Sequence, residues 1–433
     1  MKNLRIRISL FLNYFVFAIL LNSVGTVILQ VQNNFGVSQS AASVLEAFKD
    51  LSIAAVSFFV ASFIVRIGYK NSMLIALGFI TAVALLMPSI PGFWSVKLLF
   101  AATGTCFALI KVSVFATLGI ITKNSKDHAS LMNFLESFFM IGVLSGSLIF
   151  SAFVKENEPA STSWFSVYYV LGGLSCIAFI LLLTTPLDES SVRGSNAGTS
   201  NKISNPTPIA NAENDFGEMI KLIASGLVIV FVISAFFYVM IEQSIMSWLP
   251  TFNSQVLHLS NKLSIQIPVI LAASIAIGRF LAGFLLRKIH WLAVLVTCLI
   301  MAAILVLLAI PLAQHIDPRI QITSLAHAPA VAFIFPLIGL LLAPIYPAIN
   351  SVILSALPKR KHASMSGLIV VFSALGGTIG SIITGFIFKN YGGKQAFYFS
   401  LAPITILIIA LFMLNKLQKK SATKIEFSPA ATH

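Results

Sequence analysis

Long apolar stretches follow one another along nearly the whole chain, with few charged residues between them. Most are close to the roughly 20 residues that a helix needs to cross a bilayer. Because hydrocarbon offers no partner to free backbone N–H and C=O groups, such stretches must be helical. The sequence predicts twelve spans, near residues 7–31, 41–65, 72–89, 95–122, 129–154, 164–186, 219–250, 264–286, 290–312, 329–356, 363–388 and 396–415.

The composition excludes a water-soluble globule and argues against an enzyme. Of the 433 residues, 58% are hydrophobic and 10% are charged, whereas soluble domains carry about 25% charged residues. The sequence has no GxxxxGK[ST] phosphate loop, no HExxH motif and no cysteines at metal-binding spacing. We therefore expect no catalytic residues, no metal and no cofactor, and any transport must be driven by a gradient.

One long polar stretch, residues 187–218, divides the spans six from six. It is rich in Ser, Asn, Gly, Pro and charged residues and cannot bury enough apolar surface to fold alone. We interpret it as a flexible cytoplasmic linker between an N-terminal six-helix half (1–186) and a C-terminal six-helix half (219–416). Residues 417–433 are expected to form a cytoplasmic tail. The predicted fold is an all-α membrane protein of twelve transmembrane helices.

The basic residues indicate the orientation of the chain. With both termini in the cytoplasm, nineteen Lys and Arg residues of the loops and tails face the cytoplasm and six face the other side, a strong positive-inside bias. The net charge of +14 is then spread over short loops beside anionic lipid, so nucleic acid is not an expected partner. We predict a monomeric, multi-pass protein of the bacterial inner membrane, with lipid, protons and a small-molecule substrate as partners.

Seven ionisable residues fall inside the predicted spans. They are the cations Lys49, Lys111 and Arg279 and the acids Glu46, Asp50, Glu136 and Glu242. An ionisable group at bilayer depth costs at least a few kcal/mol, so such groups face a protein interior or a wet cavity and pair or work there. The sequence therefore predicts a polar interior between the helices.

The second span carries three of these charges on one helical face. Glu46, Lys49 and Asp50 are spaced i, i+3 and i+4, which brings their side chains together. Two interpretations fit this spacing. The three residues form a self-neutralised structural group at the mouth of a cavity, or one of the carboxylates carries protons.

The remaining interior charges each leave alternatives open. Lys111 has no acid within four residues, so its partner is a ligand or a residue of another helix, for which Glu136 is a candidate. Glu242 stands among polar residues that include Gln243 and fits either proton exchange or a buried pair. Arg279 follows Gly278 and either binds an anion or holds its helix to a neighbour.

The tenth span is interrupted by prolines. Pro336, Pro344 and Pro347 each remove a backbone donor, and broken helices of this kind commonly line the path of a substrate. Tyr346 and Asn350 of this span are therefore predicted to contact the substrate, together with Asn22 of the first span. Five glycines in the eleventh span provide a smooth face for close packing or for sliding.

Several motifs resemble the major facilitator superfamily, and the resemblance covers essentially the whole chain. The segments "GRFLAGFLL" and "PIYPAINSVILSALPKRKHASMSGLIVVFSALGGTIGSIITG" are similar to the fucose:proton symporters and their glucose/galactose relatives. The loop "ASFIVRIGYK" keeps Arg66, Gly68 and Lys70 of the superfamily's G-x-x-x-D-R-x-G-R-K motif, but Val65 replaces its acid. The resemblance implies twelve spans in two halves and secondary transport.

The sequence also departs from the sugar symporters. By the resemblance, Lys111 stands where they carry an acid in the fourth span, Gly25 lies near the acid of their first span, and Glu136 aligns with the amide of their fifth. A titrating acid has thus become a permanent cation. A cavity that contains Lys111 and Arg279 attracts anions, and Arg can hold a carboxylate with two hydrogen bonds.

We therefore predict a proton-coupled secondary transporter, working by alternating access, of a small polar anion such as an organic acid or a carboxylate-type chelator. The alternatives are an exporter of a drug or siderophore, a sugar symporter, transport without protons, and a sensor that does not transport. The predicted substrate contacts are Lys111, Arg279, Glu136, Asn22, Glu242, Gln243, Tyr346 and Asn350. The predicted proton carriers are Glu46, Asp50, Glu136 and Glu242.

Overall fold

The computed structural model describes residues 2–121, 125–155, 158, 160–187, 189, 225–313, 321–355 and 362–426. Most of the predicted linker therefore lies outside the described residues. At some helical positions only the backbone is described, and Glu136 is one of them. We refer to the helices before this linker as the N-terminal half and to those after it as the C-terminal half.

Among its described residues, the N-terminal half has eight α-helical segments. They are α1 (Lys2–Asn22), α2 (Val24–Phe35), α3 (Gln39–Ala42), α4 (Val44–Ile67), α5 (Tyr69–Leu86), α6 (Phe93–Ile121), α7 (Ser125–Phe153) and α8 (Val167–Thr184). Short 3₁₀ turns at Met87–Ser89 and Thr162–Ser166 lie before α6 and α8.

The described part of the C-terminal half has nine further α-helical segments. They are α9 (Gly226–Gln255), α10 (Asn261–Gln266), α11 (Pro268–Lys288), α12 (Trp291–Leu312), α13 (Val331–Leu342), α14 (Ile345–Ser355), α15 (His362–Tyr391), α16 (Gly393–Tyr398) and α17 (Leu401–Glu426). α17 continues into the predicted tail, because the sequence after residue 416 is rich in Lys, Gln and Ala, which favour helix.

Ten helical regions among the described residues are long and apolar enough to cross a membrane. They coincide with ten of the twelve predicted spans. The other two predicted spans, near 41–65 and 129–154, coincide with α4 and α7, which are 24 and 29 residues long. α4 carries three ionisable side chains within two turns, which lowers its hydropathy. The count of twelve spans stays a prediction.

The first and tenth predicted spans are broken helices. In the tenth, the break between Leu342 and Ile345 contains Pro344, as the prolines predicted. The first span was predicted as continuous, but it breaks at Ser23 without a proline. There the Ser23 hydroxyl donates to the Leu20 carbonyl at 2.8 Å, a local bond that competes with the helical ladder.

Glycines allow several helices to approach one another at backbone distance. A Cβ atom at Gly25 of α2 would lie 2.8 Å from the Met246 carbonyl oxygen of α9. Gly104 of α6 in the same way faces the carbonyl of Lys49 in α4. Across the two halves, α2 packs on α9, α4 on α15, and α7 on α10 and α11. Most of the buried apolar side chains form one continuous cluster from Ile6 to Leu414, so the halves share a core.

Candidate functional site

A buried charged cluster lies on α4. Lys49 Nζ forms ion pairs with Glu46 Oε1 and, at 3.4 Å, with Asp50 Oδ1. The residues are almost completely shielded from solvent, with exposures of 0% for Glu46, 4% for Lys49 and 6% for Asp50. The i, i+3, i+4 spacing therefore brings the three side chains together, as the sequence predicted. We call Glu46, Lys49 and Asp50 the charged triad.

Both halves of the chain enclose the charged triad. Ser247 of α9 donates its hydroxyl hydrogen to Glu46 Oε2 at 2.6 Å. Gly377 of α15 lies beside Asp50, and a Cβ atom at this glycine would come within 2.8 Å of Asp50 Oδ2. That oxygen is buried and has no hydrogen-bond partner among the described residues. The N-terminal half thus provides the charges, and the C-terminal half covers them.

A row of uncharged hydrogen bonds joins the two halves beside the charged triad. Gln30 and Asn261 form a reciprocal amide pair, with Gln30 Nε2 donating to Asn261 Oδ1 at 2.8 Å and Asn261 Nδ2 donating to Gln30 Oε1 at 3.2 Å. Three further hydrogen bonds, each 3.2 Å long, form a second run. Gln39 donates to Gln255, Gln255 donates to Gln32, and Gln32 donates to Thr251 Oγ1. We call these six residues the amide seam. It holds α2 and α3 against α9 and α10.

The C-terminal half contains a second polar cluster, centred on Glu242. Tyr238, one helical turn earlier on α9, donates its hydroxyl hydrogen to Glu242 Oε1 at 2.8 Å. The Arg279 guanidinium of α11 interacts electrostatically with Glu242 and with the Tyr238 hydroxyl. Arg279 also reaches the N-terminal half, because its Nη1 lies 4.0 Å from Met140 Sδ of α7. Arg279 is an exposed side chain on a helix apolar enough to cross a membrane.

The broken tenth span completes the Glu242 cluster. The Tyr346 ring of α14 stacks on the Tyr238 ring, with centroids 5.5 Å apart and an angle of 22° between the planes. The Tyr346 hydroxyl lies 3.1 Å from Ser373 Oγ of α15 and beside Asn350. Asn350 Oδ1 is buried without a hydrogen-bond partner among the described residues. This cluster therefore combines one carboxylate, one guanidinium, two phenols and an amide.

Lys111 of α6 has different surroundings. Its ammonium group lies 5.9 Å from the centroid of the Phe107 ring and 6.0 Å from that of Phe115. Both rings also pack against Tyr14 of α1, with centroids 6.2 Å apart. Phe139 of α7 contacts Tyr14 and Phe107 as well. Lys111 is therefore half-buried among aromatic rings.

The structure brings together some of the predicted substrate contacts but not all of them. Glu242, Arg279, Tyr346 and Asn350 form one cluster. Gln243, next to Glu242 on α9, instead lies at the contact with Gly377, beside the charged triad. Asn22 donates Nδ2 to the Ala18 carbonyl of its own helix at 2.9 Å.

Lys111 lies on the N-terminal side, among the rings described above. The Glu136 side chain lies outside the described residues, so its roles as a partner of Lys111, a substrate contact and a proton carrier stay predictions.

The sequence analysis missed several residues of these clusters. Tyr238 precedes Glu242 by four residues, which is the spacing of neighbours on one helical face and could have indicated the pair. Ser247 stands four residues after Gln243 in the same polar segment. The amide seam gave no comparable signal, because single Gln and Asn residues in apolar helices do not show which helix they face.

The comparisons with known proteins place the chain in a family. The model for the Major Facilitator Superfamily matches residues 10–378 and 320–431. The chain therefore belongs to the Major Facilitator Superfamily, as the resemblance in its motifs predicted. It is a multi-pass membrane transporter of small solutes and not an enzyme. No curated protein sequence matches the chain.

Several solved structures share this fold. A bacterial homologue of the human lysosomal transporter Spinster, in an inward-facing and unoccupied conformation, has a TM-score of 0.72 and 16% identity, covering 99% of both chains. A D-xylose–proton symporter has a TM-score of 0.69 and 13% identity, covering 95% of this chain and 97% of that one. The transporter FucP, in an outward conformation, has a TM-score of 0.59 and 14% identity, covering 96% and 99%.

Proposed function

We propose that the protein is a proton-coupled secondary transporter of a small anion, such as an organic acid or a carboxylate-type chelator, working by alternating access. Arg279 is the observation that carries this proposal. It is exposed on a helix that can span the membrane, yet its guanidinium faces Glu242, Tyr238 and Met140 of neighbouring helices. An exposed cation in this setting belongs in a water-filled cavity between the halves.

The two cations suit a carboxylate ligand. Arg279 presents a planar fork of N–H donors that matches a carboxylate, and among the described residues its hydrogen bond is a long one to sulfur. Lys111 contributes a positive charge from the opposite half. Glu242, held by Tyr238, keeps Arg279 from being an isolated charge at membrane depth when no ligand is present. A solute with a carboxylate and further polar groups could contact both halves at once.

The predicted topology gives the amide seam a role. With twelve spans in the inner membrane and both termini in the cytoplasm, the end of the bundle that carries the seam faces the outside. The halves are then closed towards the outside by uncharged hydrogen bonds. Opening the seam while the opposite end closes would expose the same cavity to each side in turn.

Binding tests the proposal most directly. The purified protein in nanodiscs is screened by thermal shift against di- and tricarboxylates, carboxylate chelators, sugars, nucleosides and amino acids. We expect stabilisation by carboxylates, reduced in Arg279→Ala and in Lys111→Ala. Lys155→Ala is the matched control, because Lys155 pairs with Glu158 on the surface, where their side chains are 57% and 61% exposed. Stabilisation by carboxylates that is equal in all four proteins would refute the anion site.

Flux measurements test coupling and direction. Uptake of the stabilising solute is compared in right-side-out and inverted vesicles, with and without an imposed pH gradient. Accumulation that collapses with an uncoupler supports proton coupling, whereas unchanged accumulation indicates transport without protons. Accumulation in inverted vesicles alone would indicate an exporter, and binding without flux or counterflow would indicate a sensor.

A neutral ring-shaped solute is the second candidate. The stacked Tyr238 and Tyr346 rings, with Asn350 and Ser373 beside them, form a face that can pack on a ring and hydrogen-bond to hydroxyl groups. The structural similarity to a D-xylose–proton symporter is consistent with this candidate. In the thermal-shift screen, stabilisation by sugars or nucleosides that survives Lys111→Ala would favour it over the anion.

A further inference from the structure

We infer that the charged triad is a binding site for one proton, held on Asp50 Oδ2, and that the amide seam closes only when this proton is bound. The inference deepens the proposed function, since it rests on a seam that opens and closes during transport. It names the coupling group and the number of protons, which the proposed function leaves open.

The formal charges of the triad do not balance. Two ionised carboxylates and one ammonium give a net charge of −1 in a site where the three residues are at most 6% exposed. Among the described residues, the electrostatic interactions of Lys49 and of Asp50 are with each other and with Glu46. A buried net charge without a counterion is strongly unfavourable. The closed structure therefore calls for one additional positive charge at this place.

The hydrogen bonds show which carboxylate takes the proton. Both oxygens of Glu46 are occupied, one by the Lys49 ammonium and the other by the Ser247 hydroxyl. Asp50 has a longer ion pair to Lys49, at 3.4 Å, through Oδ1 only. Its Oδ2 is buried without a partner among the described residues and faces Gly377. A proton on Asp50 Oδ2 neutralises the cluster and leaves the bonds of Glu46 intact.

Among the described residues, no charged group of a neighbouring helix forms an ion pair with the triad. α6 carries two charged residues, Lys97 and Lys111. The Lys97 Nζ atom lies 6.0 Å from the centroid of the Phe48 ring. Lys111 lies seven residues beyond Gly104, the residue of α6 that faces the Lys49 carbonyl. On α9 the nearest acid is Glu242, which is bonded to Tyr238. On α15 the nearest charged residue after Gly377 is Lys389, and α2 and α3 carry none.

Closure and proton binding are linked because the C-terminal half supplies the cover. Ser247 and Gly377 both lie in that half, and the seam residues Thr251 and Gln255 follow Ser247 on α9. When the halves separate at the seam, water reaches the triad and Asp50 can ionise without a large cost. The proton then exchanges with the solvent on that side. A metal ion is a poorer occupant, because the Lys49 ammonium already occupies the position between the two carboxylates.

The test measures seam closure without any substrate. Cysteines replace Asn33 and Lys262, which flank the Gln30–Asn261 pair, in a full-length chain whose Cys106, Cys176 and Cys298 are replaced by Ala. Nitroxides on the two cysteines report the distance across the seam by double electron–electron resonance between pH 5 and pH 9. We expect the short-distance population to dominate at low pH and a longer distance to grow as the pH rises.

The slope and one variant decide the outcome. For one linked proton, the ratio of the two populations changes up to tenfold per pH unit; a steeper change or no change would overturn the inference. Asp50→Asn imitates the protonated carboxyl, so we expect a short distance at every pH. A pH response in Asp50→Asn equal to that of the parent would also overturn it. Glu158→Gln, which removes an exposed acid, is the matched control and should titrate like the parent.

Two further measurements cover a variant that fails to fold and a metal ion that occupies the site. If Asp50→Asn fails to fold, the pH titration of the parent still tests the one-proton slope. At pH 8.5, replacing choline chloride by sodium chloride should leave the long distance unchanged; closure by sodium would assign the site to a metal ion and refute the proton. Because no substrate is present, a failed anion screen leaves this result untouched, and a failed titration leaves the anion site untouched.

Discussion

Lys111 in the N-terminal half and Arg279 in the C-terminal half, the two cations that we propose to bind the substrate, have different surroundings. In the N-terminal half, Lys111 lies among the rings of Phe107 and Phe115. In the C-terminal half, Arg279 lies near the Glu242 carboxylate and the hydroxyls of two stacked tyrosines. The first arrangement offers charge and apolar contact, and the second offers directional hydrogen bonds. The anion that we propose would then have its negative charge towards Lys111 and Arg279 and its further polar groups towards the tyrosines.

Removing Lys111, the cation that lies among aromatic rings, should have the largest effect on ligand affinity. We expect Lys111→Ala to weaken binding of the anionic ligand by roughly 10- to 100-fold, because a hydrogen bond to a charged group contributes about 1.5–3 kcal/mol. Isothermal titration with the ligand from the thermal-shift screen measures the change. Lys111→Arg keeps the charge and should retain most of the affinity. Equal affinities of Lys111→Ala and the parent protein would show that the N-terminal half contributes no charge to binding.

Replacing Arg279, the cation of the Glu242 cluster, by another cation should have an intermediate effect on ligand affinity. Arg279→Lys loses the planar fork that matches a carboxylate, so we expect binding to weaken by about tenfold, or about 1.4 kcal/mol. The same titration measures it, and Arg279→Ala should be weaker still. If Arg279→Lys binds as tightly as the parent, Arg279 acts as a point charge like Lys111, and the contrast between the halves disappears.

A smaller effect is expected from removing one hydrogen bond of the Glu242 cluster. Tyr238→Phe leaves Glu242 Oε1 without its donor, and we expect the free energy of unfolding to fall by about 1–2 kcal/mol. Reversible unfolding in detergent, followed by tryptophan fluorescence, measures the change. Tyr346→Phe is the matched control, because its hydroxyl contacts Ser373 and not the carboxylate. A loss as large in the control would indicate that the bond to the Glu242 carboxylate stabilises the fold no more than the contact of the Tyr346 hydroxyl with Ser373.

The smallest effect should come from the ring contacts of Lys111. Phe115→Leu keeps the apolar volume but removes a cation–π contact with a centroid distance of 6.0 Å, which contributes about 0.5–1 kcal/mol. We expect ligand affinity to change by less than about fivefold. Phe386→Leu, an exposed aromatic on α15, controls for the general loss of an aromatic side chain. A change as large as that of Lys111→Ala would mean that the ligand contacts the Phe115 ring directly.

Most of the fold could be predicted from the sequence because a membrane-spanning helix needs a long and mainly apolar stretch of residues. Length and apolarity alone marked the ten spans that coincide with membrane-compatible helices among the described residues. The break at Pro344 was also predicted, since proline cannot donate to the helical ladder. The break at Ser23 was not, because serine bends a helix only where its hydroxyl bonds back to the backbone, and the sequence does not show where that occurs.

The candidate site was predicted in part for a similar reason. Interior charges are costly, so the charged triad, Glu242 and Arg279 stood out in the sequence, and the structure joins Glu242 and Arg279 with Tyr346 and Asn350. Uncharged polar residues carry a weaker cost, so Tyr238, Ser247 and the amide seam did not stand out. The roles of Ser247 and the amide seam depend on contacts between residues more than 100 positions apart, such as Ser247 with Glu46.

The amide seam has a consequence for the conditions under which such a transporter can work. Its bonds join amides and one hydroxyl, none of which carries a net charge. Dissolved salt screens the attraction between exposed ions, with a screening length of about 10 Å at 0.1 M. It hardly changes a hydrogen bond between neutral dipoles. Closure at the amide seam, which we propose to face the outside, should therefore be nearly the same in dilute and in concentrated surroundings, so that the proposed gate would keep working through abrupt changes in external salinity.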